Sequence, residues 1–157
     1  MSKIIQGDVS GQGVTIGIVV SRFNEFITES LLSGALKTLL KQGVDDQHIT
    51  ICHVPGAFEL PLVAKQMATL KKVDGILCLG AVIRGETPHF DYVCEAAGQG
   101  ILSVSLDTGI PISFGVLTTD TVEQAMARSG PDKGNKGSEC ALWLIEMVSL
   151  AYKLKEA

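Results

Sequence analysis

Nine consecutive residues, Gly75 to Ile83, carry no charged side chain. A strand that is apolar at every position, and not only at alternate ones, has to be covered on both faces, which is the situation of a parallel sheet between helix layers. The run is followed by Gly85 and then by Thr87-Pro88. Thr87 reads as a helix N-cap and Pro88 as the first helical residue, where a fixed φ helps and the missing N–H costs nothing. The stretch is therefore strand, glycine turn, helix. Backbone N–H groups at Gly85, Glu86 and Thr87 would face whatever lies in front of that helix, a ready anion site. His89 falls in the first helical turn, where the positive end of the helix dipole disfavours imidazolium and suits a proton-accepting ring. The plain alternative, a helix-start residue with no task, stays open from position alone.

The rest of the chain repeats the alternation. Val14–Val20 is a near-continuous β-branched strand. Asn24 is an N-cap candidate for a helix to about Gln42, with Ile27, Leu31, Ala35, Leu36, Leu39 and Leu40 on one face and Gly43 as its stop. Ile49–Val54 is the next strand, broken by Pro55-Gly56. A helix from near Ala57 follows, with Pro61 tolerated in its first turn and Leu62, Val63, Met67 and Leu70 directed inward. The helix after Thr87 continues through Tyr92, Val93 and Ala96, and Gly98 and Gly100 weaken it or allow close packing. A short extended piece is expected around Leu102–Leu106, and a strand over Ile112–Leu117. Asp120-Thr121-Val122-Glu123 resembles a capping box that opens a helix ending near Arg128. Ser129–Gly137 is the most polar loop, in which Lys133 and Lys136 read most simply as solvated charges. The last helix, about Ser138–Lys155, spreads Leu142, Trp143, Leu144, Ile145, Met147, Val148 and Leu150 too widely for one core face, so a second subunit is expected against it. Residues 1–13 read as an extended segment able to pair with a sheet edge, including a neighbour's. The expectation is a single domain over 1–157: a three-layer α/β sandwich with a central parallel sheet and helices on both faces.

Composition narrows the function. Hydrophobic residues make up 46% of the chain and charged residues 19%, which implies an unusually apolar core or burial against further copies. A formal net charge of −4 and no basic patch argue against nucleic acid as a partner. No apolar run approaches the roughly 20 residues of a membrane span. The first residues lack a signal-peptide core, so a cytoplasmic protein is expected. Cys52, Cys78, Cys94 and Cys140 form no C-x-x-C pair, which suggests reduced thiols and no zinc site. P-loop, H-E-x-x-H and G-x-S-x-G patterns are absent, and Gly11-x-Gly13 precedes its strand, which fits a dinucleotide site poorly.

In parallel α/β sheets ligands bind beyond the carboxyl ends of the strands. Three loops, Ser21–Asn24, Val54–Glu59 and Val82–His89, bring Phe23, Phe58, Glu59, Arg84, Glu86, Thr87 and His89 to that edge. Phe23 offers a ring for stacking, against the plainer role of capping the core. Phe114 starts its strand, and the next helix is expected to run back and leave Arg128 at the amino edge. Were Phe114, Arg128 and Lys136 to share a site with Phe23 and His89, it would span two subunits.

Five stretches, SRFNEFITESLL, VPGAFELP, GAVIRGETPHFDYV, FGVLTTDTVEQA and the Arg128–Gly137 loop, resemble in order and spacing those of the lumazine synthase family. The resemblance covers nearly the whole chain. It implies a flavodoxin-like α/β subunit and condensation of 5-amino-6-ribitylaminouracil with 3,4-dihydroxy-2-butanone 4-phosphate, with no cofactor or metal. It implies Phe23 stacked on the pyrimidine, and Ala57, Phe58, Glu59, Ala81, Val82 and Ile83 around the ring and ribityl chain. Gly85, Glu86 and Thr87 would hold the phosphate together with Arg128 of a neighbour, joined by Phe114 and Lys136 of that neighbour. His89 would transfer protons, and Asp91 is a candidate to orient or charge-balance it. Pentamers, sixty-subunit icosahedral shells and riboflavin synthase as a partner are further implications. The middle of the polar loop, Pro131-Asp132-Lys133, departs from the family pattern by an added acid and a shifted basic residue. A non-catalytic flavin- or lumazine-binding protein is the alternative. A flavodoxin-like electron carrier fits less well, because Ser21-Arg22-Phe23-Asn24 is a poor phosphate loop.

Overall fold

The computed structural model describes residues 1–131 and 134–157; Asp132 and Lys133, and with them the reading of Lys133 as a solvated loop charge, lie outside the described residues. The elements run β1 (Ile16–Ser21), α1 (Glu25–Lys41), β2 (Ile49–Val54), α2 (Leu60–Thr69), β3 (Gly75–Ile83), α3 (His89–Thr108), β4 (Ile112–Thr119), α4 (Val122–Ala127) and α5 (Lys136–Glu156). The four strands form one sheet in the order β2-β1-β3-β4, and every neighbouring pair is parallel. The charge-free run is β3, an inner strand whose first seven residues are all buried.

Strand alternation sorts the core into two layers. Ile16, Ile18 and Val20 of β1 and Leu77, Leu79 and Ala81 of β3 pack with α1, α4 and α5. Val19, Ile76 and Cys78 face the other way, onto α2 and α3. The three-layer α/β sandwich expected from the sequence is the one observed. Each fully buried aliphatic side chain in these layers, such as Leu77 or Leu144, is worth about 1.5–3 kcal/mol.

Two contacts between helices depend on glycine. A Cβ at Gly100 would lie 2.7 Å from Pro61 Cγ, so α3 approaches α2 only because that atom is missing. A Cβ at Gly137 would collide with the Leu31 carbonyl of α1, a backbone group that cannot turn away. Gly137→Ala is therefore expected to cost about 3 kcal/mol, the upper part of the usual range for overpacking. That loss would lower the melting temperature by roughly 6–12 °C in a chain this long. A calorimetric midpoint equal to wild type would refute the close crossing of α1 and α5.

Several local expectations are corrected. No extended piece exists at Leu102–Leu106; α3 continues unbroken to Thr108, and Gly109 closes it with φ 72°. Burial of Ala97, Ile101 and Val104 outweighs the roughly 1 kcal/mol that each interior glycine costs. On α2 the buried face is Leu60, Ala64, Met67 and Ala68, while Leu62 and Leu70 are exposed. On α1, Leu40 likewise stays half exposed. Within one chain residues 1–10 form no strand; Gln6–Asp8 lie along α5, where the Asp8 N–H donates to Ser149 Oγ and Lys153 Nζ sits 3.1 Å from the Asp8 carboxylate. The Lys153 hydrogen bond holds the Asp8 carboxyl below the usual carboxylate range.

All four cysteines are free, with Cys78 and Cys140 buried. Burial alone pushes the Cys78 thiol up to about 12. Because the thiolate is the reactive form, Cys78 should stay unmodified by a thiol reagent at neutral pH until denaturant is added. Labelling of Cys78 in the native protein, read by peptide mass, would contradict that burial. No helix among the described residues is long and apolar enough to cross a membrane.

Candidate active site at the carboxyl edge of the sheet

The loop after β1 is tied to its neighbours by backbone bonds. Arg22 N–H donates to Val54 O at 2.8 Å and Phe23 N–H to Pro55 O at 3.0 Å. Asn24 occupies the N-cap position of α1, yet its side chain makes no cap bond. It adopts the left-handed conformation, φ 62°, and its Nδ2 donates to Ala81 O at 2.9 Å. Asn24 thus links the Phe23 loop to β3, a role that its identity as a capping residue concealed. Held in this way, the Phe23 ring is 72% exposed, so it does not cap the core.

The second loop forms a short 3-10 turn, Ala57–Glu59, packed against α3. Ala57 is buried and Phe58 exposed. Glu59 Oε1 accepts from Gly56 N–H at 2.9 Å, which orients the carboxylate and leaves its second oxygen without that bond. Beneath these two loops Ser21 Oγ is buried with no hydrogen-bond partner among the described residues.

At the end of β3, Ala81 is buried and Val82 and Ile83 are half buried, so the strand surfaces where the loops converge. Gly85, Glu86, Thr87 and His89 are all exposed. The α3 helix begins at His89, one residue later than the sequence suggests, with Pro88 as N-cap. Thr87 still takes part, as its Oγ1 accepts weakly from His89 N–H at 3.4 Å. Among the described residues, the N–H groups of Gly85, Glu86 and Thr87 have no backbone acceptor. An exposed loop of free donors therefore precedes a twenty-residue helix, the arrangement that suits an anion.

Asp91 faces Arg84. Its carboxylate lies 3.5 Å from the Arg84 guanidinium, which also bonds Asp120 at 2.8 Å and covers the Phe90 ring at 4.4 Å. The hydrogen bond to Asp120, then the charges of Asp91 and Asp120, raise the pKa of Arg84. Asp120 was not legible as a site residue, since its contact joins positions far apart in sequence.

Arg128 and Lys136 sit elsewhere. They line a cleft of about 370 Å³ with Val116–Thr119 of the outer strand β4, Gly134 and Glu139. Arg128 is not at the amino edge, because α4 has only six residues and cannot run back along the sheet. Its guanidinium donates to Gln124 O at 2.9 Å. Lys136 Nζ lies 4.9 Å from the Trp143 ring and 3.7 Å from Glu139. Phe114 is the third residue of β4, opposite Cys78 of β3, and 39% exposed. The cleft contains neither Phe23 nor His89. A larger groove of about 1160 Å³ lies at the opposite end of the strands, lined by residues such as Lys71, Asp74 and Lys153, and holds none of these groups. Among the described residues, no cluster of His, Cys, Asp and Glu is placed to hold a metal ion.

The model of the 6,7-dimethyl-8-ribityllumazine synthase family matches residues 13–152. The chain belongs to the lumazine synthase family. The 6,7-dimethyl-8-ribityllumazine synthase of Desulfatibacillum aliphaticivorans is 54% identical over 155 residues, which cover 99% of this chain and 100% of that protein. The stretch matched to the lumazine synthase family takes in all four strands, the three loops at the carboxyl edge and the Arg128–Lys136 cleft.

Proposed function

We propose that this chain is a transferase that condenses 5-amino-6-(D-ribitylamino)uracil with 3,4-dihydroxy-2-butanone 4-phosphate. The product is 6,7-dimethyl-8-ribityllumazine, with release of phosphate and water, at the penultimate step of riboflavin biosynthesis. Beyond the family match, the observation that carries this reading is the junction before α3, an exposed loop of free N–H groups with His89 on the adjoining turn. An anionic substrate group held at Gly85, Glu86 and Thr87 would lie close to that imidazole.

In this reading the exposed Phe23 ring stacks on the pyrimidine, with Ala57, Phe58 and Ala81–Ile83 around it. Glu59, with one oxygen fixed by Gly56, presents the other to ribityl hydroxyls. The 5-amino group of the uracil attacks the ketone and water leaves to form an imine. Tautomerisation and loss of phosphate from C4 leave an enol at C3, which becomes a new carbonyl. The ribitylamino nitrogen attacks that carbonyl with loss of a second water to close the ring. Each step moves a proton that His89 would accept or return. Holding amine and ketone in stacked, phosphate-anchored order supplies a further part of the acceleration.

The separate cleft of Arg128 and Lys136 supports a site completed by a neighbouring subunit, which brings Arg128 to the phosphate and Phe114 and Lys136 to the ring. Exposed Phe26, Tyr92, Leu106 and Trp143 provide apolar surface for such an assembly. We take the assembly to be a pentamer, with a sixty-subunit shell as the larger form and riboflavin synthase as its partner, in the cytoplasm.

The test is a paired assay of lumazine fluorescence and inorganic phosphate on mixing the two substrates with purified protein. Equal, protein-dependent increases above the uncatalysed background are expected. No increase, with lumazine still bound, would instead establish a binding protein.

A further inference from the structure

Arg84 is the first residue beyond β3, and its neighbours make it a junction. Its backbone N–H donates to Thr119 O at 2.9 Å, which continues the β3–β4 ladder by one step. Its side chain then leaves the sheet. Nε donates to Asp120 Oδ1 at 2.8 Å, NH1 lies 3.5 Å from Asp91 Oδ1, and the guanidinium plane covers Phe90 at 4.4 Å. Two of those partners, Phe90 and Asp91, are the residues immediately after His89 in the first turn of α3. The third, Asp120, opens the β4–α4 turn. Asp120 N–H donates to Gln124 Oε1 at 2.7 Å, and Gln124 O accepts from the Arg128 guanidinium at 2.9 Å.

Exposed ion pairs of this kind contribute little to stability. Their geometry is another matter. A planar guanidinium that bonds one carboxylate, faces a second and stacks on a ring has few orientations left, and lysine cannot reproduce that set of contacts. Through Phe90 and Asp91 these contacts reach the first α3 turn, which carries His89. Arg84 lies in the loop proposed to hold phosphate, yet its Nε is bonded to Asp120 and its NH1 faces Asp91.

We propose that Arg84 is a positioning residue: it locks the His89 turn of α3 to the β4–α4 turn that leads to Arg128. The inference rests on His89 as the proton-transfer group, and a double-mutant cycle separates the two. Wild type, Arg84→Ala, His89→Ala and the double variant are compared in the condensation assay. Arg84→Ala is expected to lower kcat about tenfold, because displacing a reacting group by about 1 Å costs up to roughly a hundredfold. KM for the ribitylaminouracil should change by less than about twofold, since Phe23 and Glu59 are not touched. In the His89→Ala background the same change should have little further effect. A full tenfold loss in both backgrounds, or an unchanged kcat in the single variant, overturns the proposal. Amide exchange at Asp91 and Tyr92 supplies a readout without substrate: it should accelerate in Arg84→Ala, and unchanged exchange overturns the lock whatever the activity. Should Arg84→Ala fail to fold, Asp120→Asn removes the charge at the far side of the junction and is read in the same two ways.

Discussion

His89→Ala is expected to lower kcat about a hundredfold and to leave a measurable residual rate. His89 is an exposed side chain on the first turn of α3, next to the free donors of Gly85–Thr87. A positioned proton-transfer group contributes about 10²–10⁴-fold. The lower end applies to this site, because the nucleophile is an amine that needs no activation by base and because stacking and phosphate anchoring supply much of the effective concentration. KM for either substrate should change little, as the ring carries no binding charge in this scheme. Single-turnover kinetics decide the matter. Complete loss of product would make His89 indispensable to the chemistry, and a wild-type rate would remove it from the site.

Arg128→Ala should act on the other parameter. Its guanidinium is fixed at one nitrogen by Gln124 O and shares the β4 cleft with Lys136, so the remaining donors are oriented. A charge-assisted contact to a phosphate is worth about 2–3 kcal/mol, which corresponds to a roughly 30- to 150-fold rise in KM for the butanone phosphate. The maximal rate and the KM for the ribitylaminouracil should be nearly preserved. Arg128→Lys should recover part of the loss, since it keeps the charge but not the fork. A KM for the phosphate substrate that does not move in Arg128→Ala would exclude this arginine from the phosphate.

The parts of the fold legible in the sequence were those governed by local chemistry. Continuous apolar runs at β1 and β3 required a parallel sheet covered on both faces. Thr121 announced α4 through its cap, although the residue that completes the box is Gln124 and not Glu123. The misreadings have one cause in common, which is packing between residues distant in sequence. Gly98 and Gly100 were compatible with a weakened helix or with close packing; at Gly100 it is close packing, against Pro61, and the expected extended piece at Leu102–Leu106 is helix. Leu62 and Leu70 looked like core, yet α2 buries Leu60, Ala64, Met67 and Ala68 instead. In the candidate site, the loops at the carboxyl edge could be placed from strand order alone. Asn24 bonding Ala81, and Asp91 committed to Arg84, could not, because neither partner is a sequence neighbour.

The separation of Arg128 and Lys136 from Phe23 and His89 within one chain bears on how such a catalyst would be regulated. Were a neighbour to complete each site, no newly made chain would be active by itself, and every chain would lend half of its chemistry to one neighbour and half to another. Activity would then follow mass action, absent below the concentration at which chains associate and full above it. Protein concentration itself would be the switch, with no effector required.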